Sequence, residues 1–77
     1  MYTLSRIAMK TNFRIEQIRM NAIAEVFEDF KKACRHYYET CEGGEEVTKL
    51  YHRLEELGAN MEAVIDTDLE IRDEVFA

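Results

Sequence analysis

Residues 34–54 are CRHYYETCEGGEEVTKLYHRL, and the paired glycines Gly43 and Gly44 at the centre of this stretch decide the fold. Glycines that directly follow a periodic segment supply the left-handed residue that commonly ends a helix. The acids that come next, Glu45 and Glu46, favour the positive N-terminus of a new helix. The stretch therefore predicts two helices joined by a tight turn.

Apolar residues on both sides of this turn recur at alternating spacings of three and four. On the N-terminal side they are Phe13, Met20, Ile23, Phe27, Phe30, Cys34, Tyr37 and Cys41, with a gap at Glu16. On the C-terminal side they are Val47, Leu50, Leu54, Leu57, Met61 and Val64, followed less regularly by Ile65, Leu69, Ile71, Val75 and Phe76. This spacing is typical of amphipathic helices that pack along one face.

We therefore predict an all-α fold built on a long antiparallel helical hairpin, with helices at residues 13–41 and 45–75. If the chain reverses at the two glycines, facing residues lie at equal distances from the turn. Cys34 then faces Leu54, and the opposite charges of Arg14 and Asp73 also face each other. Both pairs agree with a hairpin, although exposed charge pairs stabilise it little.

Two segments carry weaker or conflicting sequence signals. Gly58-Ala59-Asn60 resembles a helix stop followed by an N-cap, but the apolar spacing keeps its phase from Leu54 to Val64. We therefore expect one continuous helix with at most a kink at residues 58–60. Residues 1–12 are predicted to form a lead-in or a short helix.

The hairpin has more apolar side chains than one contact between two helices can bury. The extra ones flank the two stripes and are Ala24, Val26, Ala33, Tyr38 and Tyr51. Packing against a second copy would bury them in an antiparallel four-helix bundle, which predicts a homodimer. The alternative is a three-helix monomer in which residues 1–12 fold back on the hairpin.

The composition bounds the class of protein. The chain has 77 residues, enough for a single domain, and it is 47% hydrophobic and 34% charged without any proline, which favours helix and argues against disorder. Arg6, Lys10 and Arg14 interrupt the apolar runs near the N-terminus, so neither a secretory signal nor a membrane span is predicted. We expect a cytoplasmic protein with two free thiols, Cys34 and Cys41.

The cysteines and histidines near the turn are candidates for a metal site, but their spacing does not support one. The two cysteines with His36 and His52 do not have the close ligand pairs of zinc sites, and Glu-x-x-His, G-x-S-x-G and H-E-x-x-H patterns do not occur. Small buried cysteines and exposed histidines are the preferred interpretation. We predict no cofactor, no metal and no enzymatic activity.

Charge is distributed unevenly along the chain, whose net charge is −6. Residues 1–20 carry four basic residues against Glu16, whereas the C-terminal segment is strongly acidic. The predicted partner-binding residues are acids of this C-terminal segment: Asp66, Asp68, Glu70, Asp73 and Glu74. An alternative contact, with nucleic acid, uses the basic series Arg6, Lys10 and Arg14, which would share one helix face.

Three functions follow from these features. The preferred one is a small acidic regulator or inhibitor that binds another protein, for example by occupying a basic, nucleic-acid-binding surface. The second is a dimeric bundle that binds structured RNA or DNA, which the overall acidity disfavours. The third is a structural or assembly subunit, which the short and imperfect heptads disfavour.

Overall fold

The computed structural model describes the backbone of residues 2–77 and the side chains of residues 13–77. Its elements are three helices, α1 (Tyr2–Thr40), α2 (Gly44–Glu56) and α3 (Met61–Phe76), and no strand occurs in the described range. The predicted all-α class is therefore confirmed. None of these helices is long and apolar enough to cross a membrane.

The first turn lies where the sequence predicts it. The backbone N–H of Cys41 still donates to the carbonyl of Tyr37 over 2.7 Å, but Cys41 itself is left-handed, with φ at 60°, and this ends α1. Gly43 is also left-handed, with φ at 83°, and precedes the first residue of α2. The turn thus uses only one of the two glycines for a left-handed conformation, and Gly44 already belongs to α2.

The second half of the chain is not one continuous helix, so the prediction for residues 45–75 is wrong. Gly58, with φ at 78°, ends α2: its N–H donates to the carbonyl of Glu55, and the N–H of Ala59 donates to that of Leu54. These two bonds form a Schellman motif, which closes helices at glycine. The side chain of Asn60 then accepts from the N–H of Ala63 and caps α3.

Helix α3 runs in the same direction as α1, because the chain reverses a second time at this break. At one end, the Arg19 guanidinium donates to the carbonyl of Leu57 over 3.0 Å. At the other end, Arg35 contacts the Glu74 carboxylate at 2.5 Å. Asp73 therefore lies beside the C-terminal half of α1, and the predicted pairing of Arg14 with Asp73 is wrong.

The core lies where α2 and α3 both pack against the C-terminal half of α1. Phe30 and Cys34 of α1, Leu54 of α2, and Val64 and Ile71 of α3 are its buried members. Helices α2 and α3 contact each other only slightly, and each packs mainly against α1. Three helices are present, but the third arises from the break after α2 and not from residues 1–12.

The N-terminal part of α1 extends beyond this bundle. The structure describes side chains from residue 13 onward. Those of residues 13–18 are all exposed, and the first half-buried one is Arg19. The long dimension of the molecule is 58 Å, which is the length of a helix of 39 residues at about 1.5 Å per residue. We call residues 2–20 the α1 arm.

Candidate protein-binding surface

One cleft lies at the C-terminal end of α1, between the N-terminal half of α2 and Asp68 of α3. Its volume is about 590 Å³. Tyr37 and Tyr38 come from α1, and Asp68 comes from α3. The α2 side is formed by Gly44, Glu45, Val47, Thr48 and Lys49. Two aromatic rings of α1 and a mixture of apolar, polar and charged α2 residues thus line an open, mostly apolar depression.

Asp68 anchors α3 to α1 inside this cleft. The Tyr38 hydroxyl donates to the Asp68 carboxylate over 2.6 Å, and both side chains are half-buried. Burial, together with this hydrogen bond to a carboxylate, raises the pKa of Tyr38 to about 12. The Tyr38 ring also packs edge-on against the ring of Phe76, with centroids 5.9 Å apart. Tyr38 therefore acts as a neutral link between the two helices.

Cys34 lies next to this link and is fully buried. Burial raises the pKa of its thiol to about 12, and the nearby negative charge of Asp68 acts in the same direction. Because the thiolate is the reactive form of cysteine, Cys34 is protected both by burial and by its protonation. Cys41, in contrast, is exposed, so the predicted burial holds for Cys34 and is wrong for Cys41.

This difference predicts the reactivity of the two thiols. In the native protein at about pH 8, a chromogenic disulfide reagent should modify one thiol per chain rapidly, because only Cys41 is accessible. In denaturant it should modify both. Cys41→Ser is the control and should remove the rapid phase. Equal rates for the two cysteines in the native protein would mean that Cys34 is not in the core.

The two cysteines and two histidines near the first turn are the side chains considered above for a metal site. Within residues 13–77, no group of three or more histidine, cysteine or carboxylate side chains has a metal-binding arrangement. His36 and His52 are both exposed, as expected, and His52 lies 3.4 Å from Glu55 of its own helix. The preferred sequence interpretation of the histidines is therefore confirmed.

The five acids predicted to bind a partner do not form one surface. Asp68 is bound to Tyr38, and Glu74 is bound to Arg35, so both belong to contacts between α3 and α1. Glu70 lines a second cleft, of about 390 Å³, together with Lys31 and other α1 residues. Only Asp66 and Asp73 lie elsewhere; both are exposed, and neither has an ion-pair partner among the described side chains.

Asp66 and Asp73 belong to an ordered surface of α3. With Glu62 they are spaced four and seven residues apart, which places the three acids in one row along the helix. A row of apolar residues with the same spacing lies beside it. Its members are Ile65, Leu69 and Phe76, which are 45%, 44% and 66% exposed. The sequence contains both rows, but only the orientation of α3 shows that the apolar row is outside the core.

A second exposed apolar row continues the core stripe of α1 into the arm. Phe13, Met20, Phe27 and Cys34 follow one another at intervals of seven residues and therefore share one face. Cys34 is buried, Phe27 is half-buried, Met20 is 56% exposed and Phe13 is 69% exposed. This gradient arises because α2 and α3 cover α1 only from Arg19 onward.

The basic series predicted for nucleic acid lies in the same arm. Arg14 is exposed, whereas the side chains of Arg6 and Lys10 lie outside the described residues. The backbone of α1 is continuous from Tyr2, so residues 6, 10 and 14 occupy successive turns of one helix.

Comparison with known protein families, with curated proteins and with solved structures finds no match to this chain.

Proposed function

We propose that this protein is a small non-catalytic regulator that binds another protein and that also associates with itself as a homodimer. The observation that carries the proposal is the exposed apolar surface of α3, formed by Ile65, Leu69 and Phe76. Contiguous apolar surface of this kind, bordered by polar residues, marks sites of protein interaction. Scattered single residues would not support the same proposal.

The acids beside this row suggest the chemistry of the target. Asp66 and Asp73 are exposed next to Leu69 and have no ion-pair partner among the side chains that the structure describes. A target with basic side chains around an apolar patch would match both rows. Such a pattern occurs on proteins that bind nucleic acids, which agrees with a role as an inhibitor.

The non-catalytic part of the proposal is supported by the chemistry of the cleft. Its most nucleophilic neighbours, the Cys34 thiol and the Tyr38 hydroxyl, both have pKa values raised to about 12. Groups that act as nucleophiles near neutral pH have lowered values or an adjacent base. The Cys34 thiol and the Tyr38 hydroxyl therefore suit the packing of α3 on α1 better than a role as nucleophiles.

The proposed cytoplasmic location rests on the state of the thiols. Cys41 is free and exposed, and Cys34 is free and buried. Exposed unpaired thiols persist in reducing compartments, where disulfides are rare.

Neutralising the two outer acids tests the proposed contact with a target. Asp66→Asn combined with Asp73→Asn should weaken target capture from extracts of the native host, mainly by slowing association, and more strongly at low than at high salt. Quantitative mass spectrometry of the captured proteins provides the measurement. The fold should persist, because exposed charges contribute little to stability.

The matched control is Glu25→Gln combined with Asp29→Asn. It removes the same two charges from exposed positions of α1. Proteins that the wild type and the control both capture, and that the Asp66/Asp73 variant loses, would be the targets. An identical set of captured proteins for all three chains would disprove the contact with basic targets.

One observation favours the second candidate, binding of nucleic acid. The uninterrupted backbone of α1 aligns residues 6, 10 and 14 on the arm, and Arg14 is exposed. Three basic side chains on one face can contact a phosphate backbone, although the net charge of −6 opposes it. We therefore keep this function as the alternative.

A further inference from the structure

The α1 arm is an unusual element because it continues the core stripe without a helix to cover it. Met20 and Phe13 lie on the face that packs against α2 and α3 further along α1, yet both are more than half exposed. A stripe that is buried in one half of a helix and exposed in the other half lacks a packing partner of similar chemistry. The exposed part of the stripe therefore calls for a complementary apolar surface.

The outer surface of α3 has the matching length and chemistry. The arm has 19 residues and α3 has 16, so they are about 28 Å and about 24 Å long. Both present an apolar row: Phe13 and Met20 on the arm, and Ile65, Leu69 and Phe76 on α3. In each case the exposed apolar side chains lie at helical spacing along one face.

Charge distinguishes this contact from the other symmetric contacts. Residues 1–20 carry Arg6, Lys10, Arg14 and Arg19 against a single acid, Glu16. Residues 44–77 carry ten acids against only Lys49, Arg53 and Arg72. Two arms packed on each other would repel, and so would two α3 helices, whereas an arm on α3 brings opposite charges together.

We propose that the outer surface of α3 is covered by the α1 arm of a second copy of this chain, and that each copy contributes its arm in this way. The arm of one chain cannot reach its own α3, because α1 is a single helix from Tyr2 to Thr40 and the molecule is 58 Å long. Two antiparallel copies related by a two-fold axis make both contacts at once. Each half of the dimer is then a four-helix bundle of α1, α2, α3 and the partner's arm.

This arrangement deepens the proposed homodimer and rests on it. It also places Asp66 and Asp73 at the edge of the dimer contact, beside the apolar row of α3. A target that binds these acids therefore competes with the partner's arm. The homodimer is the form in which the target-binding surface is covered.

Two single variants and their mixture test the exchange of arms. Met20→Glu places a charge in the apolar row of the arm, and Leu69→Glu does the same on α3. Each variant alone should weaken dimerisation at least roughly tenfold in sedimentation equilibrium, because every contact of its dimer is altered. An equimolar mixture should recover dimers, since the intact arm of one chain then meets the intact α3 of the other.

Ile18→Glu is the matched control for the arm. Ile18 is 68% exposed, and it lies nearly opposite Met20 because two residues advance an α-helix by more than half a turn. It should dimerise like the wild type. Circular dichroism checks that all variants keep their helices, which we expect because all three positions are exposed.

The possible outcomes separate this inference from the proposed function. A wild-type dimer that survives Met20→Glu and Leu69→Glu, or a mixture that recovers no dimer, would overturn the exchange of arms and leave the homodimer in place. A wild-type chain that is monomeric would overturn both, without affecting the test of target capture. A monomer whose arm binds an RNA duplex through Arg14 would also overturn the inference and would assign the arm to nucleic acid.

Discussion

Phe30→Ala is expected to lower the free energy of unfolding by about 3–5 kcal/mol, as large aromatic truncations in a packed core do. Phe30 is only 1% exposed and belongs to the cluster that joins all three helices. Its removal leaves a cavity that neighbouring side chains cannot fill. Because small domains are stable by only about 5–15 kcal/mol, the variant should lose a large share of its stability.

Phe13→Ala provides the matched control, since it removes the same side chain from the same face of α1. Phe13 is 69% exposed, so its truncation should cost less than about 1 kcal/mol. Both variants are measured by urea unfolding at the lowest workable protein concentration, where self-association contributes least. Similar losses at the two positions would mean that the core does not end near Arg19. If Phe30→Ala does not fold, Phe30→Leu should show a smaller, measurable loss in the same direction.

The sequence predicts the first turn well because several local signals agree there. A periodic apolar stripe, two glycines and two acids all indicate the end of one helix and the start of another around Gly43. The core residues Phe30, Cys34 and Leu54 follow from the same stripes. Local chemistry and periodicity point to the same structure in this part of the chain.

At the second break the two kinds of signal conflict. Gly58 and Asn60 indicate the end of one helix and the cap of the next, whereas the apolar spacing continues unchanged through them. The structure follows the local signals, because a glycine with a left-handed backbone and a capping asparagine satisfy the free backbone groups at both helix ends. The spacing of the apolar residues does not distinguish one continuous helix from two helices joined by a turn. After a turn, the second helix can bury the same residues against the other side of α1.

The same break decides where the five acids of the predicted partner-binding site lie. A continuous helix would place all five acids beside the N-terminal half of α1, with Asp73 facing Arg14. The reversal instead brings Asp68 to Tyr38 and Glu74 to Arg35, so both side chains take part in contacts between α3 and α1. It also leaves the arm without its expected neighbour. Contacts between residues 30 to 39 positions apart depend on the turn and are not encoded in local spacing.

The direction of α3 is the central structural claim, because both the free arm and the outer surface of α3 depend on it. Residue 73 lies at the level of Arg35 in the structure, about 20 residues along α1 from residue 14. At about 1.5 Å per residue, this separates the two positions by about 30 Å. In a continuous hairpin the same positions would face each other across two helices, at about 10 Å between the axes.

A distance measurement between spin labels decides between the two arrangements. Arg14→Cys and Asp73→Cys are labelled in a chain with Cys41→Ser, while the buried Cys34 stays in place and unlabelled. Dilution with excess unlabelled protein restricts the measured distance to pairs within one chain. The structure predicts a distance distribution centred near about 30 Å, and a distribution centred near about 10–15 Å would show that α2 and α3 form one helix and that the arm is covered by its own chain.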